Sequence, residues 1–332
     1  MKQKHVSFMN EMNSTFGDHT IIPMDAVPTE MPHIPTGSLA LDKALGIGGI
    51  PRGMLTELYG PEGAGKSTLA LSIARQAQID PNPIHGNTVL YIDLEFALNR
   101  TLMETMGINT AEIMLCQPAT GTQAMDIMLA SIGNVDLIVV DSIAQIVTPQ
   151  ELDSSTGDTH IGRLARLMAQ TMRMAMPPLG LSQTALIMIN QLRMKIGVMF
   201  GNPETQPGGR AVKFAAHVRL AIRRKGFLGP QKARYGQLCY VKAEKNKTYS
   251  PYRTAMFNLI WGEGIDVVGN ILKTAKDFGV VTTQGSSHYF HDERIGIGKA
   301  KTADAIAERP GILTAIREEV MDLTCVQENE PN

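Results

Sequence analysis

The sequence predicts an α/β protein with a mostly parallel central sheet, a short N-terminal helical arm and a small α+β domain at the C-terminus. Three observations support this fold class. Continuous apolar runs alternate with helical segments, a glycine-rich turn joins one such run to a helix, and three alternating strand patterns follow one another late in the chain. Continuous apolar runs are typical of strands that helices cover on both faces.

The first 35 residues form a polar segment that contains four prolines. Phe8, Met12 and Phe16 recur there at helical spacing, which predicts one short helix. We therefore expect residues 1–35 to form an arm that serves in oligomerisation.

The predicted core spans residues 36–265 and begins with a strand–turn–helix unit. A strand is expected at Met54–Tyr59 and a helix from about Ser67 to Gln78. Further buried strands are predicted at Thr88–Asp93, Ile113–Cys116, Val135–Asp141 and Ala185–Gln191. Helical segments lie between these strands, so the sheet they form should be parallel.

The regular pattern stops after Gln191, and the stretch from Leu192 to Gly209 is predicted to be a long functional loop. Three alternating strands follow, at His217–Arg224, Leu238–Lys245 and Thr254–Ile260. They leave no room for crossover helices, so we expect them to extend the sheet in antiparallel fashion.

Residues 266–332 are predicted to form the α+β domain. A hairpin is expected at Val280–Phe290. The helices that bracket it are predicted near Val267–Phe278, Lys301–Arg309 and Ile312–Leu323.

The composition is that of an ordinary globular protein, with 332 residues of which 43% are hydrophobic and 19% charged. No apolar run approaches the roughly 18 residues of a membrane span, and the N-terminus lacks a signal-peptide core, so we expect a cytoplasmic protein without a membrane partner. Cys116, Cys239 and Cys325 lie far apart, which argues against a disulfide framework or a zinc site.

Charge is distributed unevenly. Fourteen Lys or Arg and two acids lie between Arg193 and Arg253, whereas five acids and Arg317 alone follow from Gly311 to the end. A basic block followed by an acidic tail indicates phosphate binding and its modulation, and a pair of solvated charged faces is the alternative.

One segment fits the phosphate-binding pattern G-x-x-x-x-G-K-[ST] between a predicted strand and a predicted helix. It consists of Gly60, Pro61, Glu62, Gly63, Ala64, Gly65, Lys66 and Ser67. In such a P-loop, backbone N–H groups surround the phosphates, Lys66 would meet the β- and γ-phosphates, and Ser67 would ligate Mg²⁺. A glycine-rich turn with an unrelated lysine is the alternative.

Polar residues lie at, or just beyond, the ends of three of the predicted strands. Asp141 ends one strand and is expected to hold Mg²⁺ directly or through water, with helix capping as the alternative. Hydrolysis of a bound nucleotide needs a base or a positioning group for the attacking water. Glu95 is the best-placed candidate, and Asp93 is its local rival. Gln191 ends another strand, where its amide would contact the γ-phosphate and report on it to the following loop. Ordinary capping is the alternative for Glu95 and Gln191.

The sequence resembles the bacterial RecA family from roughly Phe8 to Ala305. The resemblance includes Thr36-Gly37-Ser38-Leu39, Tyr59–Thr68, Val139-Val140-Asp141-Ser142 and Gly157-Asp158-Thr159-His160. Most specific is Asn190–Thr205, which resembles the family's second DNA-binding loop almost residue for residue.

The resemblance implies a RecA-like P-loop ATPase core and a DNA-dependent ATPase that uses ATP and Mg²⁺. Such a protein forms a homo-oligomeric helical filament on single-stranded DNA and exchanges strands with double-stranded DNA. It acts in recombination, in repair and in the SOS response to DNA damage.

By position, Glu95 matches the family's catalytic glutamate and Gln191 its γ-phosphate sensor. Thr68 completes the nucleotide-binding loop. Lys245 and Lys247 match lysines that reach the neighbouring subunit's nucleotide, although solvated strand-edge charges are the alternative. An aromatic residue of the filament interface is matched by Phe214.

The resemblance also implies two DNA-binding loops, at about Glu151–Gly162 and Leu192–Arg210. Apolar side chains would wedge between bases, cations would meet phosphates, and glycines would permit close approach. The residues assigned to DNA are Ile161, Arg166, Arg173, Arg193, Lys195, Ile196, Gly208, Gly209 and Lys299, the last in the duplex-binding C-terminal domain.

Several features depart from the family pattern and indicate a divergent member, among them two positions near the nucleotide site. Asn99 and Leu102 stand where the family usually has an aspartate and an adenine-stacking tyrosine, so nucleotide affinity or selectivity should differ. A hexameric helicase or signalling ATPase of the same fold is the main alternative. A non-hydrolysing DNA-binding protein is a third, opposed by Lys66, Asp141 and Glu95.

Overall fold

The computed structural model describes residues 3–17, 20–27, 29–147, 162–194 and 204–327. The chain up to Pro32 and the chain from His33 onward form two separate compact units. In the first unit, helix α1 covers Gln3–Phe16, and a single 3-10 turn follows at Met24–Ala26. The residues of α1 are exposed or half-buried, and Phe8 and Phe16 are among the exposed ones.

The second unit is built on a nine-stranded sheet. Its strands are β3 (Leu55–Gly60), β4 (Val89–Asp93), β5 (Ile113–Cys116), β6 (Leu137–Asp141), β7 (Ala185–Gln191), β10 (Val218–Leu228), β11 (Gly236–Asn246), β12 (Thr254–Ile260) and β13 (Gly264–Ile265). Their spatial order is β13-β12-β11-β10-β3-β7-β6-β4-β5. The predicted α/β class with a mostly parallel sheet is therefore confirmed.

Two short ladders accompany this sheet. They pair β1 (His33–Ile34) with β2 (Ile50–Pro51), and β8 (Arg193–Met194) with β9 (Glu204–Thr205). The second ladder closes the base of the loop predicted after Gln191.

The late strands differ in part from expectation. Neighbouring strands from β10 to β12 are antiparallel, as predicted, and β13 adds a further antiparallel strand that was not predicted. Strand β10, however, joins β3 in parallel. The short helix α7 (Ala211–Ala215) and the loop before it separate β7 from β10. This connection is long enough to bring the chain back to the edge of the sheet where the parallel strands begin, so β10 can run parallel to β3.

Helices cover both faces of the sheet. In chain order they are α2 (Leu39–Leu45), α3 (Lys66–Gln78), α4 (Arg100–Thr105), α5 (Gly121–Ser131) and α6 (Arg163–Ser182). On β4, Tyr91 packs in the core that includes Leu69 of α3. Leu90 and Ile92 face the opposite core, which α5 and α6 cover. This alternation explains why the strand sequence is apolar throughout.

The C-terminal part has a small core of its own. Its elements are α8 (Val267–Asp277), β14 (Val281–Gln284), β15 (Ser287–Phe290), β16 (Glu293–Ile297), α9 (Lys299–Ala307) and α10 (Pro310–Gln327). The predicted hairpin is thus a three-stranded antiparallel sheet, because β16 adds to β15. In β16 only Ile295 is buried, so its sequence lacks a strong alternating pattern.

The domain boundaries predicted at residues 35/36 and 265/266 stay predictions. Within the described ranges, no helix combines the length and the apolar character needed to cross a bilayer.

Candidate nucleotide site and DNA-binding loops

The P-loop leaves the carboxyl end of β3 at Gly60 and enters α3 at Lys66. Two of its glycines are required by geometry. Gly65 has a φ of +97°, and a Cβ atom there would lie 2.8 Å from Leu259 Cδ1. A Cβ atom on Gly60 would lie 2.1 Å from the carbonyl oxygen of Ile222 in β10. Glycine therefore permits both the left-handed turn and the close approach of the late strands.

Lys66 is held inside this loop. Its Nζ donates to the carbonyl oxygens of Gly60, at 3.1 Å, and Pro61, at 2.8 Å. Burial lowers the pKa of Lys66, and the nearby carboxylates of Asp141, Glu95 and Glu62 oppose this shift. A buried ammonium group beside a loop of backbone amides is suited to bind phosphate.

Asp141 ends β6 next to the P-loop and is buried. Its Oδ2 accepts a hydrogen bond of 2.8 Å from the Tyr91 hydroxyl. Burial raises the pKa of Asp141, while interactions with the Ser67 and Tyr91 side chains lower it. Among the residues that the structure describes, no hydrogen bond of normal geometry reaches the buried Asp141 Oδ1. An unsatisfied carboxylate oxygen near a serine hydroxyl fits Mg²⁺, which takes oxygen ligands.

Glu95 and Asp93 have different surroundings. The Asp93 carboxylate is buried and accepts hydrogen bonds from the backbone amides of Glu95 and Leu98 and from the side chain of Gln117. Glu95 is exposed, and its Oε1 accepts from Ser142 Oγ at 2.6 Å and from Gln191 Nε2 at 2.8 Å. Asp93 therefore organises the turn, and Glu95 is the carboxylate that faces the cleft.

One cleft brings most of the predicted nucleotide residues together. Its walls include Glu62, Gly63, Gly65, Lys66, Ser67, Thr68, Glu95, Asp141 and Gln191. Ala64 of the same loop is buried. The P-loop, Asp141, Glu95 and Gln191 come from four separate segments of the chain, and the parallel sheet places their strand ends at one edge.

Three residues of this cleft were missed by sequence reasoning. They are Gln237, Leu259 and Trp261, which lie on β11, on β12 and just after β12. Trp261 is 48% exposed. It is the single tryptophan of the chain, and this rarity was the one signal in the sequence that could have drawn attention to it.

The two residues that depart from the family pattern have local roles. The Asn99 side chain caps α4 by accepting a hydrogen bond of 3.1 Å from the Leu102 amide. Leu102 packs against the central core.

The second predicted DNA loop is anchored to the sheet at its base. Arg193 of β8 pairs with Thr205 of β9 and is exposed. Asn190 Nδ2 donates to Glu57 Oε1, at 3.1 Å, and to the carbonyl oxygen of Pro207, at 3.3 Å. The two sides of the loop are therefore tied to β3. Lys195 and Ile196 lie outside the described residues.

The end of the second loop meets helix α6. Gly208 and Gly209 have positive φ values, and a Cβ atom on Gly209 would lie 2.9 Å from Ala165 Cβ. These glycines thus permit contact with the helix that follows the first predicted loop. Arg166 and Arg173 are exposed on this helix and share one face, since seven residues span about two turns. Ile161 lies outside the described residues.

Lys245 contacts Phe214 rather than the P-loop of its own chain. Its Nζ donates to the carbonyl oxygen of Phe214 at 3.0 Å, and the Phe214 side chain is 66% exposed. Gln237, which lines the cleft, precedes Lys245 by eight residues on β11, a span of about 27 Å at ~3.4 Å per residue. Lys247 is exposed beside Lys245.

Lys299 begins helix α9, and its side chain lies outside the described residues.

The fold and the cleft define a class: a P-loop nucleotide-binding protein with a mostly parallel, helix-covered sheet. Comparison with known families is more specific. The RecA N-terminal domain matches residues 4–266, and the RecA C-terminal domain matches residues 269–324. The chain belongs to the RecA family. Family membership implies an ATPase with a role in DNA recombination and repair.

Individual relatives agree. The chain is 43% identical over 320 residues to Protein RecA of Thermus thermophilus, which covers 95% of this chain and 92% of that protein. It is 41% identical over 317 residues to Protein RecA of Lactiplantibacillus plantarum, covering 95% and 82%. A crystal structure of the RadB recombinase is similar in fold alone, with a TM-score of 0.51 at 21% identity, over 70% of this chain and 98% of that one.

Proposed function

We propose that the protein is an ATP-driven DNA recombinase, which assembles as a helical filament on single-stranded DNA and exchanges strands with a homologous duplex. The contact that carries this proposal is the hydrogen bond of 2.8 Å from Gln191 Nε2 to Glu95 Oε1. Gln191 ends β7, and the second DNA loop begins at the next residue. One side chain thus joins the carboxylate of the ATP cleft to the start of a DNA-binding loop.

Each residue of the cleft is assigned a separate role in ATP hydrolysis. Lys66 stabilises negative charge on the β- and γ-phosphates, and Glu95 orients and deprotonates the attacking water. Ser67 and Asp141 would hold Mg²⁺, which neutralises phosphate charge when bound. Because the half-buried Leu102 packs against the central core and is not aromatic, we assign the nucleobase to the aromatic face of Trp261, which lines the cleft.

The filament interface is proposed to complete this site. Lys245 and Lys247 lie far along β11 from their own cleft and beside the exposed Phe214. In a filament these lysines would contact the nucleotide of the next subunit, so hydrolysis would depend on assembly. Arg166, Arg173, Arg193 and Lys195 would bind the phosphates of single-stranded DNA, with Ile161 and Ile196 between bases. Lys299 would bind the duplex. Both DNA substrates are found in the cytoplasm, where we place the activity.

The proposal is tested by measuring ATP hydrolysis with and without single-stranded DNA, together with strand exchange between a circular single strand and a homologous linear duplex. We expect DNA-stimulated hydrolysis and joint molecules. Lys66→Ala should reduce hydrolysis at least about 100-fold, because the loop loses its cation. Unwinding without strand exchange would identify a helicase instead, and normal turnover by Lys66→Ala would contradict the P-loop assignment.

A further inference from the structure

A buried tyrosine hydroxyl contacts the predicted Mg²⁺ ligand. Tyr91 lies in β4 next to β6, where Asp93 pairs with Asp141. Because side chains alternate along a strand, Tyr91 and Asp93 face the same side of the sheet, beneath α3. The Tyr91 side chain is fully buried, and its hydroxyl donates to Asp141 Oδ2 at 2.8 Å.

This contact makes the two oxygens of Asp141 unequal. Oδ2 is occupied by the phenol, whereas Oδ1 is buried and lacks a hydrogen bond of normal geometry from any described residue. A buried polar atom without a partner is unfavourable unless something binds it. With Oδ2 held from below, the carboxylate cannot rotate to exchange its oxygens without breaking a buried hydrogen bond.

We propose that Tyr91 is a positioning residue for Mg²⁺: its hydroxyl holds Asp141 so that Oδ1 faces the metal beside Ser67. The assignment rests on the proposed ATP site. Hydrogen bonds to metal-binding carboxylates orient them, and their removal typically costs about 10- to 100-fold in metal affinity or activity. The alternative role is a core tyrosine whose hydroxyl merely satisfies a buried carboxylate, and Mg²⁺ dependence separates the two.

The experiment uses the full chain and the variant Tyr91→Phe, which keeps the ring in the core and removes only the hydroxyl. Binding of the non-hydrolysable analogue AMP-PNP is measured by titration calorimetry over a series of Mg²⁺ concentrations. Tyr249→Phe is the matched control, because it removes the same atom from a ring that packs on Gly46, away from the cleft. Circular dichroism checks that each variant is folded.

We expect Tyr91→Phe to raise the Mg²⁺ concentration for half-maximal AMP-PNP binding by about tenfold or more. Binding without Mg²⁺ should be unchanged, and Tyr249→Phe should behave as wild type. In an Asp141→Asn background, Tyr91→Phe should cause no further change, because its effect passes through Asp141.

Three outcomes would overturn the assignment. They are an unchanged Mg²⁺ dependence in folded Tyr91→Phe, an equal loss of binding with and without Mg²⁺, and an undiminished effect in the Asp141→Asn background. Absence of Mg²⁺-dependent AMP-PNP binding by the wild-type protein would instead contradict the proposed function itself.

Discussion

The three carboxylates at or just beyond the ends of β4 and β6 contact different partners. Asp93 accepts hydrogen bonds from backbone amides, Asp141 from Tyr91, and Glu95 from Ser142 and Gln191. Chemically similar groups therefore differ in their surroundings. The Asp93 carboxylate is bound by backbone amides of the turn, whereas the Glu95 carboxylate is exposed in the cleft. This difference in contacts, rather than residue type, favours Glu95 over its rival as the base.

A fourth carboxylate, Asp42, is buried on α2, does not line this cleft and predicts a pH-dependent stability. Burial raises the pKa of Asp42 from 3.8 to about 6, although Arg317 and hydrogen bonds from Thr36 oppose the shift. Because the folded state favours protonated Asp42, the stability it contributes is present below about pH 4. That contribution is lost as the pH rises through about 6.

The test compares the wild type with Asp42→Asn by urea unfolding at several pH values. Between about pH 4 and pH 8, the free energy of unfolding of the wild type should fall relative to the variant by about 3 kcal/mol. Parallel pH profiles for the two proteins would contradict the raised pKa.

Among the secondary-structure elements, β7 links the two halves of the proposed activity. Asn190 donates to Glu57 of β3 and to Pro207 near the end of the loop, and the next residue, Gln191, contacts Glu95. Adjacent residues on one strand therefore contact the base of the predicted DNA loop and the Glu95 carboxylate of the cleft. A shift of this strand end would change both the contact with Pro207 and the contact with Glu95.

We predict that Gln191→Ala abolishes DNA stimulation of ATP hydrolysis while ATP affinity changes by less than about threefold. The reason is that the Gln191 side chain, which links the nucleotide cleft to the predicted DNA loop through Glu95, is removed. Hydrolysis is measured as a function of single-stranded DNA concentration, and affinity by calorimetry. Ser142→Ala is the matched control, because it removes the other donor to Glu95 and leaves β7 unchanged. Full stimulation in the Gln191→Ala protein would show that coupling uses another route.

The exposed Arg193, on β8, predicts a salt effect. Arg193→Ala should weaken binding of single-stranded DNA equally for different sequences and reduce the slope of log affinity against log salt by about one unit. Lys195→Ala should act in the same way. Fluorescence anisotropy at several salt concentrations measures the slope. Arg100→Ala is the control, since this exposed arginine pairs with Glu104 on α4. A slope identical to that of the wild type would place Arg193 away from the DNA backbone.

Across the whole molecule, β11 connects the nucleotide cleft with the surface that we propose as the filament interface. Gln237 at one end borders the subunit's own cleft, and Lys245 near the other contacts Phe214. The length of the strand separates these ends, so in the proposed filament one subunit would offer its P-loop to its own nucleotide and, at a distance, Lys245 to that of a neighbour. Such an arrangement explains why activity would need assembly.

Mixing two inactive variants tests this completion between subunits. Lys66→Ala subunits and Lys245→Ala/Lys247→Ala subunits should each be inactive in ATP hydrolysis. Mixed on single-stranded DNA, they should recover part of the activity, because some interfaces pair an intact P-loop with intact lysines. Failure to recover activity in filaments shown to contain both variants would favour a self-contained site.

The central strands and the P-loop could be predicted because their signals are local. Continuous apolar runs mark buried strands, and the Gly60–Ser67 motif lies between a strand and a helix. Asp141, Glu95 and Gln191 were found because each follows such a run. The strand β16 was missed, since Ile295 is its one buried side chain.

The amino-acid sequence by itself determined the fold class, the RecA family and the residues at the strand ends, because these depend on local pattern and motif. Tertiary structure decided which strand neighbours which. It therefore brought Gln237, Leu259 and Trp261 to the P-loop, and the Tyr91 hydroxyl to Asp141. Such pairings join residues far apart in the chain, and they depend on sheet order and on the requirement that buried polar groups find partners. No local periodicity encodes them.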